Sequence, residues 1–403
     1  MALPLSSSIA LVLCNFLFWG HWPICAKFAV APSQAFGVIM VFTQTLCSWI
    51  AVAIIEAPSG FEALIAESQH PIAIACVVLG GAALAVGDFA AAAAIERLGV
   101  AVGGPVCFSF MLVCGSVGDF LLEGSANPAL LWCGIAGCLC AVVADSQSHP
   151  APSSTDQVSL TSADSAADSA ADSVVESAGA APSVPQVPAT TPAIVVVELA
   201  ELTDVALDGG DLAQIESAQP QKQQRQQQQR RRQHAAGGGR ADFRLGMTVA
   251  IAGGCIGGMW TVLSTLASHA HELSPTSLLF YFHVGEFIFI VPVVLFYGKL
   301  FNGHTTLSAL YASMRSLTRR QVAWTCAAGV CIAVGYLCYF ATKGSVPRPA
   351  AYGFGCAAGS TGMVWGLCHF GEYENTPWRK RALLLLAIAL FPSSIALIAL
   401  SMV

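Results

Sequence analysis

Long apolar runs, separated by short polar stretches, occupy most of the chain. A helix needs about 20 apolar residues to cross a hydrocarbon core of ~30 Å. Ten runs of about that length lie at 8–29, 35–56, 72–95, 99–122, 127–146, 245–268, 275–298, 320–342, 349–370 and 381–402. The pattern therefore predicts an all-α membrane protein with ten transmembrane helices.

Composition agrees with this prediction and excludes several function classes. Hydrophobic residues make up 55% of the chain and charged residues only 10%, whereas about a quarter of a soluble domain is charged. The 15 cysteines all lie within apolar runs, where they are expected to be small packing residues rather than metal ligands. No HExxH motif, nucleophile elbow or phosphate-binding glycine loop occurs in the sequence. We therefore predict no metal, no cofactor, no nucleic-acid partner and no enzymatic activity.

A polar segment divides the apolar runs into two groups of five. Residues 147–243 include the near-repeat SADSAADSAADS and the run QPQKQQRQQQQRRRQ. Such a composition cannot bury enough apolar surface to offset the entropy of ordering. The sequence thus predicts a five-helix unit at 1–146, a disordered linker at 147–243 and a second five-helix unit at 244–403.

The basic residues predict which way the helices face. If ten helices alternate in direction, 16 of the 18 Lys and Arg residues fall on one side, and only Lys343 and Arg348 on the other. Cytoplasmic loops are enriched in Lys and Arg. The linker is therefore predicted to be cytoplasmic and both termini to face the opposite side, with the plasma membrane as the expected location.

The two five-helix units resemble each other in sequence. WGHWPICAKFA at 19–29 aligns with GGMWTVLSTLA at 257–267, and AVGDF at 85–89 aligns with AVGYL at 333–337. With an odd number of helices per repeat, the second copy must enter the membrane from the opposite face. The sequence thus predicts two inverted five-helix repeats, an architecture typical of secondary transporters.

Ionisable residues inside the predicted helices are candidates for function, because a charge there costs roughly 2.5–3.5 kcal/mol. Asp88 and Glu286 lie deepest, and His283 precedes Glu286 by three residues on the same helical face. These three residues and Lys27 are the candidates for proton coupling, with a His283–Glu286 relay as the hypothesis. The alternative is a structural pairing of the carboxylates with Lys27 or His283. For Glu123 and Glu372, near the ends of equivalent helices in the two units, a cap or an interhelical salt bridge is the favoured interpretation.

Aromatic residues supply the candidates for substrate binding. Trp19, His21 and Trp22 surround Pro23 well inside the first helix, and together they offer flat apolar walls with polar groups. An interfacial aromatic belt is the alternative. By the internal symmetry, the second unit would complete the lining with Trp260, Tyr281, Tyr336 and Tyr339, any of which could instead serve packing.

Four stretches carry a resemblance to a known family. They are FWGHWPICAKF in helix 1, LGGAALAVGDFAAAAAIERLGVAVGGPV across helices 3 and 4, LLFYFHVGEF in helix 7 and HFGEYENTPWRKR before helix 10. With them the chain resembles the ureide permease family of the drug/metabolite transporter superfamily. The resemblance implies ten helices in two inverted repeats, and uptake of oxo nitrogen heterocycles such as allantoin and uracil-like bases, driven by a proton gradient.

Two other functions remain open at this point. Lys27 in helix 1 is similar to the lysine-bearing motif of sugar-transporter-like members of the superfamily, which leaves a sugar or other metabolite carrier as an alternative. A non-transporting scaffold or receptor is the third reading. The partners expected for the favoured function are a small-molecule substrate, protons and the lipid bilayer, and the sequence leaves a homodimer open.

Overall fold

The computed structural model describes residues 4–124, 127–148, 239–302, 306–343, 345–346, 348–370, 372–373 and 376–401. In these ranges all regular structure is helical, with thirteen α-helices and one 3₁₀-helix, Ala57–Ser59. The α-helices are α1 Leu5–Ala29, α2 Ser33–Glu56, α3 Glu62–Glu67, α4 Pro71–Leu98, α5 Val100–Glu123, α6 Pro128–Ser148, α7 Gly239–Ala270, α8 Pro275–Asn302, α9 Leu307–Arg315, α10 Arg319–Ala341, α11 Arg348–Ala357, α12 Gly359–Cys368 and α13 Trp378–Ser401. Most of the predicted linker, 147–243, lies outside the described residues.

The described helices form an integral multi-pass membrane protein. Nine of them are long and apolar enough to cross a membrane. Their outward faces carry large apolar side chains such as Ile54, Ile72 and Leu121, which are 69%, 71% and 75% exposed. Surfaces of this kind suit hydrocarbon rather than water. The all-helical membrane class predicted from the hydrophobic pattern is therefore confirmed.

The predicted ninth span, 349–370, differs from the structure. It consists of two shorter helices, α11 and α12, which meet at Ala358. The sequence around the break, GFGCAAGSTG, is rich in glycine, which lowers helix propensity. In addition, the Ser360 hydroxyl donates to the Ala357 carbonyl at 2.6 Å, a local bond that competes with regular helical bonding. The apolar run predicted the length of this segment but not its interruption.

The contacts between helix ends fall into two groups, one at each end of the bundle. At one end, which we call the Glu67 end, Glu67 accepts from the Ser274 backbone N–H at 2.9 Å, and the rings of His70 and His271 stack at 3.4 Å. At the other, the Glu372 end, Glu372 binds the first turn of α5 and Gln321 donates to the Val30 carbonyl at 3.1 Å. In both groups, residues before the linker contact residues after it.

The long helices before the linker pack mainly against those after it. α6 packs against α13, α2 against α8, α1 against α10, α4 against α8, and α2 against α10. Helix α7 lies against α4 and α5 through glycines: Gly257 approaches Gly87, and Gly258 approaches the backbone of Met111. Small residues are what membrane helices use to approach closely, since lipid gives little hydrophobic drive for association.

The closest approach lies between α4 and α8. A Cβ placed on Gly81 would lie 1.9 Å from the Phe282 carbonyl oxygen, and one on Gly285 would lie 1.9 Å from the Val78 carbonyl oxygen. The two backbones are thus in direct contact, each glycine seated on the other helix. Any larger residue at either position would push the helices apart.

Two short helices were not predicted from the sequence. α3 has six residues and α9 has nine, both below the length of a membrane span. The α9 helix begins at a cap in which the Thr306 hydroxyl accepts from the Ala309 N–H at 3.2 Å. A search for apolar runs of about 20 residues passes over such segments because they are too short.

Replacing Gly285 with alanine is expected to lower the free energy of unfolding by about 1–3 kcal/mol, the usual effect of overpacking. The matched control is Gly104→Ala in α5, where an added Cβ would meet nothing closer than 3.8 Å and alanine gains helix propensity. Thermal unfolding of the purified variants checks the difference. Equal stability of the two variants would contradict the backbone contact between α4 and α8.

Candidate functional site

Four polar side chains meet inside the bundle, near the middle of their helices. Gln44 comes from α2, Asp88 from α4, and His283 and Glu286 from α8; they are 0%, 4%, 0% and 0% exposed. The Gln44 amide donates to Glu286 Oε2 at 2.6 Å, and His283 Nδ1 lies 2.5 Å from the same oxygen. We call these residues the polar cluster.

Asp88 completes the polar cluster from the facing helix. It lies within electrostatic range of Glu286 and interacts with the Gln44 amide. Glu286 directly follows Gly285 at the glycine contact, and Asp88 lies two helical turns beyond Gly81 on the helix that Gly285 contacts. The two carboxyl groups thus interact inside the buried part of the bundle, where two negative charges repel strongly.

The polar cluster has unused hydrogen-bonding capacity. Within the described ranges, no partner is in hydrogen-bonding reach of Glu286 Oε1, His283 Nε2, Asp88 Oδ2 or Gln44 Oε1. Buried polar atoms are normally paired, and leaving one unpaired costs about 1–3 kcal/mol. Such atoms are available to a proton, a water molecule or a ligand.

Aromatic rings adjoin the polar cluster on one side. Trp19 contacts Tyr336 edge-on at 4.9 Å and stacks on Tyr339 at 6.3 Å. Trp260 meets Tyr339 at 5.3 Å and Tyr336 at 6.2 Å. The ring of Tyr336 in turn lies 5.5 Å from that of His283. Four of the seven predicted binding residues thus form one group, the aromatic box, in contact with the polar cluster through Tyr336.

The other three predicted binding residues lie elsewhere. Trp22 is buried but contacts Phe36 and Phe108, in a separate aromatic layer. His21 bonds through Nδ1 to the Leu17 carbonyl of its own helix at 2.5 Å. Tyr281 is half-buried against Phe280. None of these three shares a ring contact with the aromatic box in the part of the chain that the structure describes.

Lys27 is brought to the Glu372 end rather than to the polar cluster. Its ammonium group pairs with Glu372 at 2.7 Å, and the same carboxylate accepts from the backbone N–H groups of Val100 and Ala101 at 3.2 and 3.1 Å. The predicted cap or interhelical salt bridge at Glu372 is confirmed, since this residue makes both. Anions are stabilised at a helix N-terminus, and Gly99 and Gly366 leave room for the carboxylate.

A small cavity opens beside the aromatic box toward the Glu67 end. Trp260, Tyr339, Leu278, Thr342 and Lys343 line it, and about 20 Å³ of it can hold the centres of water molecules. That is enough for one or two waters and too small for a heterocycle. The Lys343 ammonium group donates to the Leu273 carbonyl at its rim.

Sequence reasoning missed three residues that the structure places at these sites. Gln44 is a neutral residue in an apolar helix, Asn15 is buried beside Trp19, and Tyr352 packs against Trp260 at 5.3 Å. A search for ionisable residues passes over Gln44 and Asn15. A search for polar side chains at mid-helix would have found both.

Comparison with known proteins adds no assignment. No protein-family model matches the chain, and no curated protein matches it significantly. The ureide permease family therefore remains a resemblance, and the functional argument depends on the geometry of the polar cluster and the aromatic box.

Replacing Glu372 with glutamine is expected to lower the free energy of unfolding by about 1–3 kcal/mol, because Lys27 loses a charged partner in a partly buried site. The control is Glu272→Gln, since Glu272 is 84% exposed and lies 3.8 Å from Lys343, a geometry of little energetic value. Chemical or thermal unfolding in one detergent measures both. A Glu372 variant as stable as the control would argue against the ion pair.

Proposed function

We propose that this protein is a secondary active transporter that moves a small nitrogenous heterocycle together with protons. Ureides such as allantoin and uracil-like bases are the proposed substrates, by resemblance to the ureide permease family. The main support is the environment of Glu286. Its carboxyl group is fully buried, contacts Gln44 and His283, and interacts electrostatically with Asp88.

The polar cluster supports proton coupling on energetic grounds. An unpaired charge inside a membrane protein is costly, so ionisable groups there mark proton or substrate pathways. His283 lies at hydrogen-bonding distance from Glu286, so these two groups can share a proton, and Asp88 interacts electrostatically with Glu286. Gaining or losing one proton changes the charge of the whole cluster. That change can favour one conformation of the helices that contribute it.

The aromatic box supports a planar substrate. Trp19 and Trp260 present flat apolar surfaces beside the tyrosines of α10, and apolar walls with a few oriented polar groups are typical of small-molecule sites. The box and the polar cluster touch through Tyr336. A substrate at the box would therefore lie within reach of the groups that carry the proton.

The helix pairing supports the proposed inverted repeats. If α1, α2 and α4 correspond to α7, α8 and α10, then the contact of α4 with α8 has its counterpart in that of α10 with α2. Likewise the contact of α1 with α10 corresponds to that of α7 with α4. Exchanging the two repeats leaves two further pairs unchanged, α2 with α8 and α6 with α13, because each pair consists of corresponding helices. Such exchange is expected of two repeats that alternate access to a central site.

The two ends of the bundle differ in how they are held. The Glu372 end is held by the Lys27–Glu372 pair, whereas the small cavity adjoins the Glu67 end. By the distribution of Lys and Arg, we assign the Glu372 end to the cytoplasm. On this assignment the ion pair lies on the cytoplasmic side of the aromatic box, and the small cavity lies on the opposite side.

Replacing Glu286 with glutamine is expected to abolish gradient-driven uptake while substrate exchange across the membrane persists, because glutamine keeps the side-chain volume but cannot carry the proton. The assay is uptake of labelled allantoin, uracil and glucose into an uptake-deficient host at two external pH values. In the wild type we expect uptake of a heterocycle to rise as external pH falls.

The control for this assay is Glu62→Gln, an exposed carboxylate in the short helix α3, which should transport like the wild type. Unchanged accumulation by the Glu286 variant would rule out the coupling role. Uptake of glucose alone would identify a sugar carrier, and uptake of none of the three compounds would favour a scaffold or receptor.

A further inference from the structure

Asn15 is a buried amide whose hydrogen-bonding groups are both unused. It lies near the middle of α1 and is 1% exposed. In the described part of the chain neither its Oδ1 nor its Nδ2 has a hydrogen-bond partner. A primary amide offers two N–H donors and a carbonyl acceptor, so burying it unpaired is costly. A cost of this kind at a mid-membrane position calls for a functional reason.

Trp19 lies one helical turn beyond Asn15; its six-membered ring adjoins Asn15 at Gly355, whereas its indole N–H lies against Gly335 of α10. It follows Asn15 at the i+4 position, on the same face of α1, and its indole N–H also lacks a partner among the described residues. The ring of Trp19 is part of the aromatic box. Asn15 therefore adds an amide edge to a site that otherwise consists of flat rings.

The interrupted helix α11–α12 lies directly opposite these two residues. A Cβ on Gly355 would be 2.4 Å from the Trp19 ring and 3.1 Å from Asn15 Nδ2, and one on Gly20 would be 3.4 Å from the Ala358 carbonyl oxygen. The break at Ala358 is thus adjacent to the Asn15–Trp19 edge. Transporters place substrate sites at discontinuous helices near the bilayer midplane. Gly355 packs so tightly on Trp19 that a ring enters only when α1 and α11 separate.

The chemistry of the amide selects a class of ligand. A side-chain amide pairs in two bonds with a group that offers one donor and one acceptor side by side, as the –CO–NH– edge of a lactam or ureide ring does. A carboxylate or phosphate offers acceptors only, and would face the Asn15 oxygen unfavourably.

We infer that Asn15 reads the –CO–NH– edge of the substrate through a pair of hydrogen bonds, with the six-membered ring of Trp19 beside it as a flat apolar wall. This inference rests on the proposed transport of nitrogenous heterocycles and names the residue that sets its specificity. Asn15 is a specificity residue and takes no part in moving the proton.

The test is competition against labelled uracil and allantoin by the same rings methylated at one nitrogen, with glucose as a further competitor. In the wild type, methylation at the nitrogen that Asn15 reads should weaken competition about tenfold, the effect of one unpaired buried hydrogen-bonding group. In Asn15→Leu, which has similar volume and no polar atom, parent and methylated compounds should compete equally. Uptake by this variant should still depend on external pH, since the polar cluster is unchanged.

The control variant is Thr325→Val, because the Thr325 hydroxyl is buried but already bonded to the Gln321 carbonyl at 2.8 Å. It should discriminate between the compounds as the wild type does. Asn15→Ser provides a second, smaller substitution should the leucine variant not reach the membrane, and it too should lose the discrimination.

Each remaining outcome overturns one of the two claims. Retained discrimination in the Asn15 variants, equal competition by all methylated rings in the wild type, or stronger competition by glucose would overturn the role of Asn15. Failure of both Asn15 variants to reach the membrane would assign the residue to folding and overturn it as well. If the wild type takes up neither uracil nor allantoin, the proposed function itself fails.

Discussion

The direct contact between the backbones of α4 and α8 is the constraint on which the rest of the arrangement depends. Lipid tails are as apolar as the side chains, so the hydrophobic effect does not drive helices together inside a membrane. Helices therefore associate where their surfaces fit closely. Gly81 and Gly285 each occupy a space on the opposite helix that no Cβ could share. This contact holds together the two helices that carry Asp88 and Glu286.

A second consequence of close packing is that polar groups must find partners inside the protein. Glu286 has two partners on one oxygen and none on the other, while Glu372 distributes its charge over an ammonium group and two backbone N–H groups. The carboxylate at the helix end is therefore nearly saturated, and that at mid-depth is not. This contrast agrees with the proposed roles, a structural one for Glu372 and a proton-carrying one for Glu286.

Sequence predicted the helical spans well because hydrophobic length is a local property. The start of α8 at Pro275 and the end of α1 at Ala29 agree with the predicted bounds. The proximity of His283 and Glu286 was also predictable, since residues three apart share a helical face. The partner of Lys27, by contrast, is 345 residues distant in sequence, and only the packing of α1 against the second half determines it. The break at Ala358 was missed for a different reason, because glycine-rich segments are apolar enough to pass as continuous spans.

The turn between α4 and α5 consists of one residue, Gly99, whose φ of +86° is readily adopted by glycine. So short a joint leaves the two helices little freedom to swivel independently, and they behave as a stiff hairpin. Helix α4 of that hairpin carries Asp88, and the Gly99 turn contacts the Glu372 carboxylate. In the transport cycle proposed above, a movement of α4 at Asp88 would therefore also displace the turn that holds the Glu372 carboxylate.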